Sequence, residues 1–151
     1  MKIRRLILTL AAISITACTP SAPVEEGLVI SNARVQAPMK GKKITAGYFD
    51  IINHSSVDDA IIGIESPISG KVELHKSEEV DGVMKMRRQV SVDLKAGETI
   101  SFKPGGYHIM FFKTTIAKDA KDAALTFKFK HAPDVTIIAD IADSTVHTSH
   151  H

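Results

Sequence analysis

The sequence predicts an all-β domain, an antiparallel sandwich or barrel of about nine short strands. Three observations predict it. Apolar or alternating runs of five to eight residues recur from Leu28 onwards, the pattern of strands buried on one or both faces. Val, Ile, Thr and Phe fill these runs, and such side chains fit a pleated surface. No stretch keeps a helical period over three turns, and turn residues fall in most of the gaps, the rhythm of sandwiches and barrels.

The elements follow in order. Leu28–Val35 is the first run and ends before the breakers Pro38 and Gly41. Gly47–Ile52 follows, closed by the polar stretch Asn53 to Ser56, and Ala60–Ile64 is closed by Ser66-Pro67. Lys71–Lys76 and Val83–Val90 flank Asp81-Gly82, a favoured hairpin dipeptide because both residues tolerate positive φ. Gly97 precedes Thr99–Lys103, and Pro104-Gly105-Gly106 separates that run from Tyr107–Lys113. Ile116 to Ala123 is read as one short helix. Ala124–Lys130 and Val135–Ile141, divided by Pro133, complete the set. There is no internal repeat and no low-complexity segment.

The 151 residues suffice for one domain with a real core and are too few for two comfortable ones. Residues 1–17 carry Lys2, Arg4 and Arg5, then the apolar run Leu6 to Ile15, which is short for a stable membrane span and reads as an export signal. The segment closes on Ile15-Thr16-Ala17-Cys18. An apolar residue and two small ones before a cysteine resemble a bacterial lipobox, in which Cys18 is lipidated and becomes the first mature residue. Thr19, not an aspartate, follows it, which leans towards the outer membrane. Cys18 is the sole cysteine, so the mature chain has no disulfide and, once lipidated, no thiolate. Loss of three basic and no acidic residues with segment 1–17 takes the formal charge from +2 to −1. A near-neutral chain excludes nucleic acid as an expected partner. Membrane association is expected through lipid, not through a basic patch. Residues 18–27, with Pro20, Pro23, Glu25 and Glu26, read as a tether. The organisation is a lipoprotein signal peptide at 1–17, the tether at 18–27, a domain at 28–146 and a His-rich tail at 147–151.

The candidate site residues are two histidines and two methionines: His75, Met86, His108 and Met110. His108 and Met110 are spaced i, i+2 in a strand-like run, so they share a face and lie about 6.6 Å apart along the strand. If the hairpin turn centres on Val80-Asp81, His75 opposes Met86; a shift of one residue makes them diagonal. Either relation leaves about 5–8 Å between them. Imidazole nitrogens with thioether sulfurs, and no carboxylate among the four, suit Cu(I) far better than Mg, Ca or Mn. Spacing alone does not bring the two pairs together.

The arrangement His75, ten residues, Met86, twenty-one residues, His108-Ile109-Met110 resembles the motif of the periplasmic copper chaperones of the PCu(A)C family. The surrounding words match as well: Thr45-Ala46-Gly47-Tyr48, Val72-Glu73-Leu74-His75, Asp81-Gly82-Val83-Met84-Lys85-Met86 and Pro104 to Met110. The similarity spans Leu28 to Ile141. It implies a cupredoxin-like β-barrel that binds Cu(I) through His75, Met86, His108 and Met110. It also implies a copper-accepting partner, such as cytochrome c oxidase subunit II with its copper-A centre, or another copper chaperone. Many members carry a methionine directly after the first histidine, where this chain has Lys76.

Other residues have plainer readings. Met84 shares a face with Met86 and is its chief rival. Met39 and the Lys40–Lys43 cluster belong to an exposed loop, and His54 and His131 to loops. Tyr107 either shields the site or packs in the core. His147, His150 and His151 form a mobile tail that resembles the His-rich extensions of some family members. Imidazoles without thioether favour Cu(II), Ni or Zn, so a second Cu(II) site is expected there.

No nucleophile–base pair, carboxylate dyad or phosphate loop stands out, so the sequence argues against an enzyme. It reads as a monomeric, membrane-tethered copper chaperone facing the periplasm. Two rivals are weighed. A blue-copper electron carrier needs a cysteine thiolate beside its histidines, and Cys18 precedes the first strand by ten residues. An envelope β-sandwich serving only as an interaction module would use the same histidines and methionines for packing.

Overall fold

The computed structural model describes residues 27–142, so Cys18 and the tail histidines lie outside the described residues. Ten strands form: β1 (Leu28–Gln36), β2 (Ile44–Asn53), β3 (Asp59–Glu65), β4 (Ser69–Val80), β5 (Val83–Gln89), β6 (Val92–Leu94), β7 (Thr99–Phe102), β8 (Tyr107–Thr114), β9 (Asp122–Phe129) and β10 (Val135–Ala142). Nine coincide with the runs read from the sequence. The tenth, β6, is only three residues long; it buries Val92 and Leu94 and exposes Asp93, too brief an alternation to stand out.

The all-β class holds among the described residues, with two corrections of detail. Residues 116–123 do not form a helix: they turn at 118–119 and enter β9 at Asp122. Two helical turns cannot repay helix nucleation without tertiary support. The alternating burial of Asp122–Phe129, in contrast, pairs with β10 on one side and β3 on the other. Second, the sheet is mixed, because β1 and β10 run parallel from Arg34–Asp140 to Gln36–Ala142. Parallel neighbours need a long connection, and here nearly the whole domain intervenes.

The strand order is β5-β4-β8-β2-β1-β10-β9-β3-β6, with β7 also on β2. Strand β2 is the corner of this arrangement. Its residues 44–47 pair with β8, and 49–52 pair with β7. The enclosed core centres on Phe49, Phe102, Phe111 and Phe127, all essentially buried. Phe49 stacks on Phe102 with ring centroids 4.0 Å apart and meets Phe127 edge-on at 4.8 Å. Each such buried ring contributes about 1.5–3 kcal/mol by leaving water.

The part of the fold that matters for the site is the wing β5-β4-β8. The twelve-residue β4 is paired on both flanks: with β8 through Lys76–Tyr107 and with β5 from Leu74–Gln89 to Val80–Val83. The β4–β5 turn is the two-residue loop Asp81-Gly82, with φ of 55° and 76°, the double positive φ that a type I′ hairpin requires. Strand β5 is the sheet edge, and every residue from Val83 to Arg88 is exposed.

Candidate metal centre

The pleat sorts the wing into two faces. On β8, Ile109 and Phe111 are fully buried in the core, so His108 and Met110 project from the other face. On β4 the corresponding core residue is Leu74, which leaves Glu73, His75 and Ser77 beside His108 and Met110. The ladder pairs His75 with His108 and Glu73 with Met110. On the other flank it pairs Ser77 with Met86 and His75 with Arg88. All four candidate residues therefore stand on one face of three adjacent strands.

Their separations are not equal. His75 and His108 are direct neighbours, with ring centroids 5.8 Å apart and planes inclined by 43°. Two imidazoles sharing one ion, with metal–nitrogen bonds of about 2.0 Å and nitrogens roughly 1.1 Å from their ring centres, have centroids about 5–6 Å apart. The observed spacing fits. Met110 is the next residue on the face, diagonal to His75. Met86 is diagonal to His75 on the opposite side, because the turn centres on Asp81-Gly82 rather than one residue earlier. The two thioethers thus occupy opposite corners, with Cα atoms about 16 Å apart on an untwisted ladder. His75, His108 and Met110 are neighbours on the β4–β8 ladder; Met86 belongs to the exposed edge hairpin.

Each histidine has one ring nitrogen occupied and one free of any protein partner in this arrangement. His108 Nδ1 lies 3.0 Å from the Gly106 carbonyl. His75 Nε2 lies 2.9 Å from Glu73 Oε2, while His75 Nδ1 is buried without a hydrogen-bond partner. A buried polar atom left unpaired is costly, and an orphan lone pair on a face shared with thioethers is what a soft metal would satisfy. Glu73 is itself nearly buried and draws Lys71 Nζ to 2.6 Å and Arg88 Nε to 3.4 Å. The Lys71 and His75 hydrogen bonds hold its carboxyl at about 2, against the opposing effect of burial. Among the described residues no three His, Cys, Asp or Glu side chains form a metal-binding group.

Two further residues, Glu73 and Gly106, bear on the histidines without being candidate donors. Glu73 stands two residues before His75, a spacing that already places both on one strand face. The Gly106 carbonyl is a loop feature with no sequence signal beyond the Pro104-Gly105-Gly106 turn. Met84 opposes Glu79, one face position farther from His75 than Met86, although both methionines are 55% exposed. Lys76 points to the opposite face, where its ammonium lies 5.4 Å from the Tyr107 ring centre. Tyr107 packs against the core and Phe102, which favours the packing reading for it. Met39 and Lys40–Lys43 are exposed, as is His54. The backbone N–H of His131 donates to Asp59, on the far side of the sheet order.

Residues 28–141 match the family model described as "Putative lipoprotein LpqE-like". The chain is 26% identical over 147 residues to "Putative lipoprotein Lxx21020" of Leifsonia xyli subsp. xyli, covering 89% of this chain and 87% of that protein. Among solved structures it superposes on the apo PmoF2 PCuAC domain with a TM-score of 0.67 at 22% identity, over 79% of this chain and 92% of the other. The copper-bound PCuAC domain from PmoF2 gives 0.64 at 21% identity, over 77% and 92%. The Cu(I) form of DR1885 from Deinococcus radiodurans gives 0.57 at 20% identity, over 78% of each chain. At these identities the superpositions show a shared PCuAC fold.

Proposed function

The chain belongs to the LpqE-like lipoprotein family, and from that premise we propose that it is a copper chaperone of the bacterial cell envelope. It holds one Cu(I) through His75, His108, Met110 and Met86 and passes it to a copper-accepting protein. The acceptor favoured by the motif is cytochrome c oxidase subunit II, at its copper-A centre. One observation carries the reading: two imidazoles lie 5.8 Å apart, one with an orphaned buried nitrogen, on a face that also bears Met110 and Met86. The PCuAC fold is found in proteins solved with copper, which supports it.

Copper is cargo here, and the chain's task is to bind and release it. His75, His108 and Met110 supply the fixed donors, braced by paired strands on both flanks of β4. Met86 closes the site as the edge hairpin bends towards β8. Thioethers are neutral and carry no proton, so Met86 enters and leaves without proton exchange. Strand β5 has a free edge and solvent on both faces, which lets it move while β8 stays fixed. An acceptor with thiolates, stronger donors to a soft ion, then takes the metal as Met86 lets go. No step of this exchange is a covalent reaction of substrate, so the protein acts as a carrier and not as an enzyme.

Two accessory features complete the proposal. Cys18 carries lipid and anchors the domain in the envelope through the tether at 18–27. His147, His150 and His151 capture Cu(II) at a second, weaker site. The test is Cu(I) titration of the protein against a chromophoric chelator under anaerobic conditions. One tight Cu(I) per chain, then transferred to an apo copper-A domain, is the expected result. No chelator competition, or binding undiminished in a His75→Ala/His108→Ala double variant, would refute it.

A further inference from the structure

We infer that Glu73 is a positioning residue for the metal: its carboxylate holds His75 as the Nε2–H tautomer, so that His75 presents Nδ1 while His108 presents Nε2. The inference rests on the copper reading above and specifies which atom of each imidazole serves it.

A neutral imidazole has one N–H and one lone pair, and the hydrogen bond made by one nitrogen sets the role of the other. Two oxygens that can only accept decide the matter here. The Gly106 carbonyl is 3.0 Å from His108 Nδ1, so Nδ1 donates and Nε2 keeps the lone pair. Glu73 Oε2 is 2.9 Å from His75 Nε2, so Nε2 donates and Nδ1 keeps the lone pair. The two carboxylate oxygens divide the work. Oε1 meets Lys71 Nζ at 2.6 Å and Arg88 Nε at 3.4 Å, and Oε2 is left for the imidazole. Lys71 is on the same strand face, and Arg88 faces His75 across the β4–β5 ladder. The carboxylate is thus clamped from two strands before it orients the ring.

Coordination through Nε2 of His75 would undo this. The metal would displace the N–H from Oε2 and leave that oxygen without its partner, on a side chain only 11% exposed. Coordination through Nδ1 breaks no hydrogen bond and satisfies the one ring nitrogen that is buried and unpartnered. Carboxylate–histidine–metal pairings of this kind fix ring orientation and raise ligand basicity, and losing one costs roughly 10–100-fold in metal affinity. The sequence alone carries the pairing at i, i+2, but not the opposite-nitrogen arrangement, which depends on where the Gly106 carbonyl falls.

The test is two-bond ¹⁵N–¹H spectroscopy of the intact chain labelled at histidine, with His75 and His108 assigned through single His→Gln variants. The apo protein is expected to show a protonated Nε2 for His75 and a protonated Nδ1 for His108. One equivalent of Cu(I) should then shift Nδ1 of His75 and Nε2 of His108. Glu73→Gln keeps an accepting oxygen at the same reach and should keep the tautomer. Glu73→Leu should give His75 a mixed tautomer, with Cu(I) affinity lower by roughly 10–100-fold. A protonated Nδ1 on apo His75 overturns the inference, as does a copper shift at its Nε2 or an unchanged tautomer in Glu73→Leu. If Glu73→Leu does not fold, the wild-type tautomer and the copper shift still decide. Apo tautomers as stated with no copper-dependent change at either ring would overturn the copper reading, and with it the metal-positioning role, while the hydrogen bond itself stood.

Discussion

Replacing Gly47 by alanine should loosen both the fold and the site, because of where one added methyl would fall. Gly47 pairs with Ile109 across the β2–β8 ladder. A Cβ at this position would lie 2.9 Å from Phe111 Cε2, 3.0 Å from Ile109 Cγ1 and 3.1 Å from the Arg34 carbonyl oxygen. Phe111 and Ile109 are fully buried, so neither side chain can swing out, and the carbonyl is backbone. Relief requires β8 to shift away from β2 by a few tenths of an ångström. Overpacking of this kind costs about 1–3 kcal/mol. Three contacts at 3.1 Å or less put this case in the upper half of that range, about 2–3 kcal/mol; alanine returns about 0.4–1 kcal/mol by restricting the unfolded chain, which leaves a net loss of about 1–2 kcal/mol. For a domain of this size that is a fall in Tm of roughly 5–10 °C. Ile109 sits between His108 and Met110, so the same shift misplaces two donors, and Cu(I) affinity should fall as well. Urea and thermal unfolding of the apo protein, with a chelator competition alongside, make the measurement. A Tm within 1 °C of wild type, or above it, would refute the packing argument.

Three further outcomes are expected. Met110→Leu and Met86→Leu should each lower Cu(I) affinity by roughly tenfold or more and change stability by under about 1.5 kcal/mol; Met84→Leu, one face position farther out, should leave affinity unchanged in the same competition assay, and a larger loss in Met84→Leu than in Met86→Leu would reverse their roles. Acid should destabilise the apo domain in a defined window: Glu73 is held at about 2 against an ordinary 4.5 by Lys71 and His75, Asp50 is lowered by Ser101 and Asn32, and in Asp59 burial pushes upward but the N–H groups of Ala60, Ala132 and His131 prevail. Folded values below unfolded ones mean stability that is present above about pH 4.5 and lost as pH falls towards 2, so a flat urea midpoint from pH 5 to pH 2.5 would contradict it. Cys18→Ser should move the protein from the membrane fraction to the soluble envelope fraction with Cu(I) binding intact, and wild-type protein found wholly soluble would rule out the lipid anchor.

Much of the framework was legible because strand periodicity is local. The alternation in Ala124–Lys130 and the Asp81-Gly82 dipeptide each specify their structure within a few residues. The failures are instructive in the same terms. Ile116 to Ala123 has helix-compatible composition, but its last two residues are claimed by β9, whose partners β10 and β3 lie elsewhere in the chain. Strand β6 has only two buried residues, below what a periodic pattern can reveal. The parallel β1–β10 pair joins the two ends of the domain, a relation no local window contains. At the candidate site, the shared face of His108 and Met110 followed from i, i+2 spacing. The direct pairing of His75 with His108 did not, because it depends on the β4–β8 register. Glu73 carries no signal of its own in the sequence, because a carboxylate is a poor donor to a soft ion; its contact in the fold is with Nε2 of His75. The diagonal placement of Met86 depended on a one-residue choice of turn centre, which the sequence left open.

The central claim is that two imidazole nitrogens and two thioether sulfurs hold one copper ion on the β5-β4-β8 wing. X-ray absorption at the copper K edge of the protein loaded with one equivalent of Cu(I), compared between wild type and the Met86→Leu/Met110→Leu variant, tests it most directly. Wild-type protein is expected to show two nitrogen and two sulfur scatterers around copper, with the sulfur shell absent in the double variant. A wild-type shell without sulfur, or a sulfur shell that persists in the double variant, would contradict it.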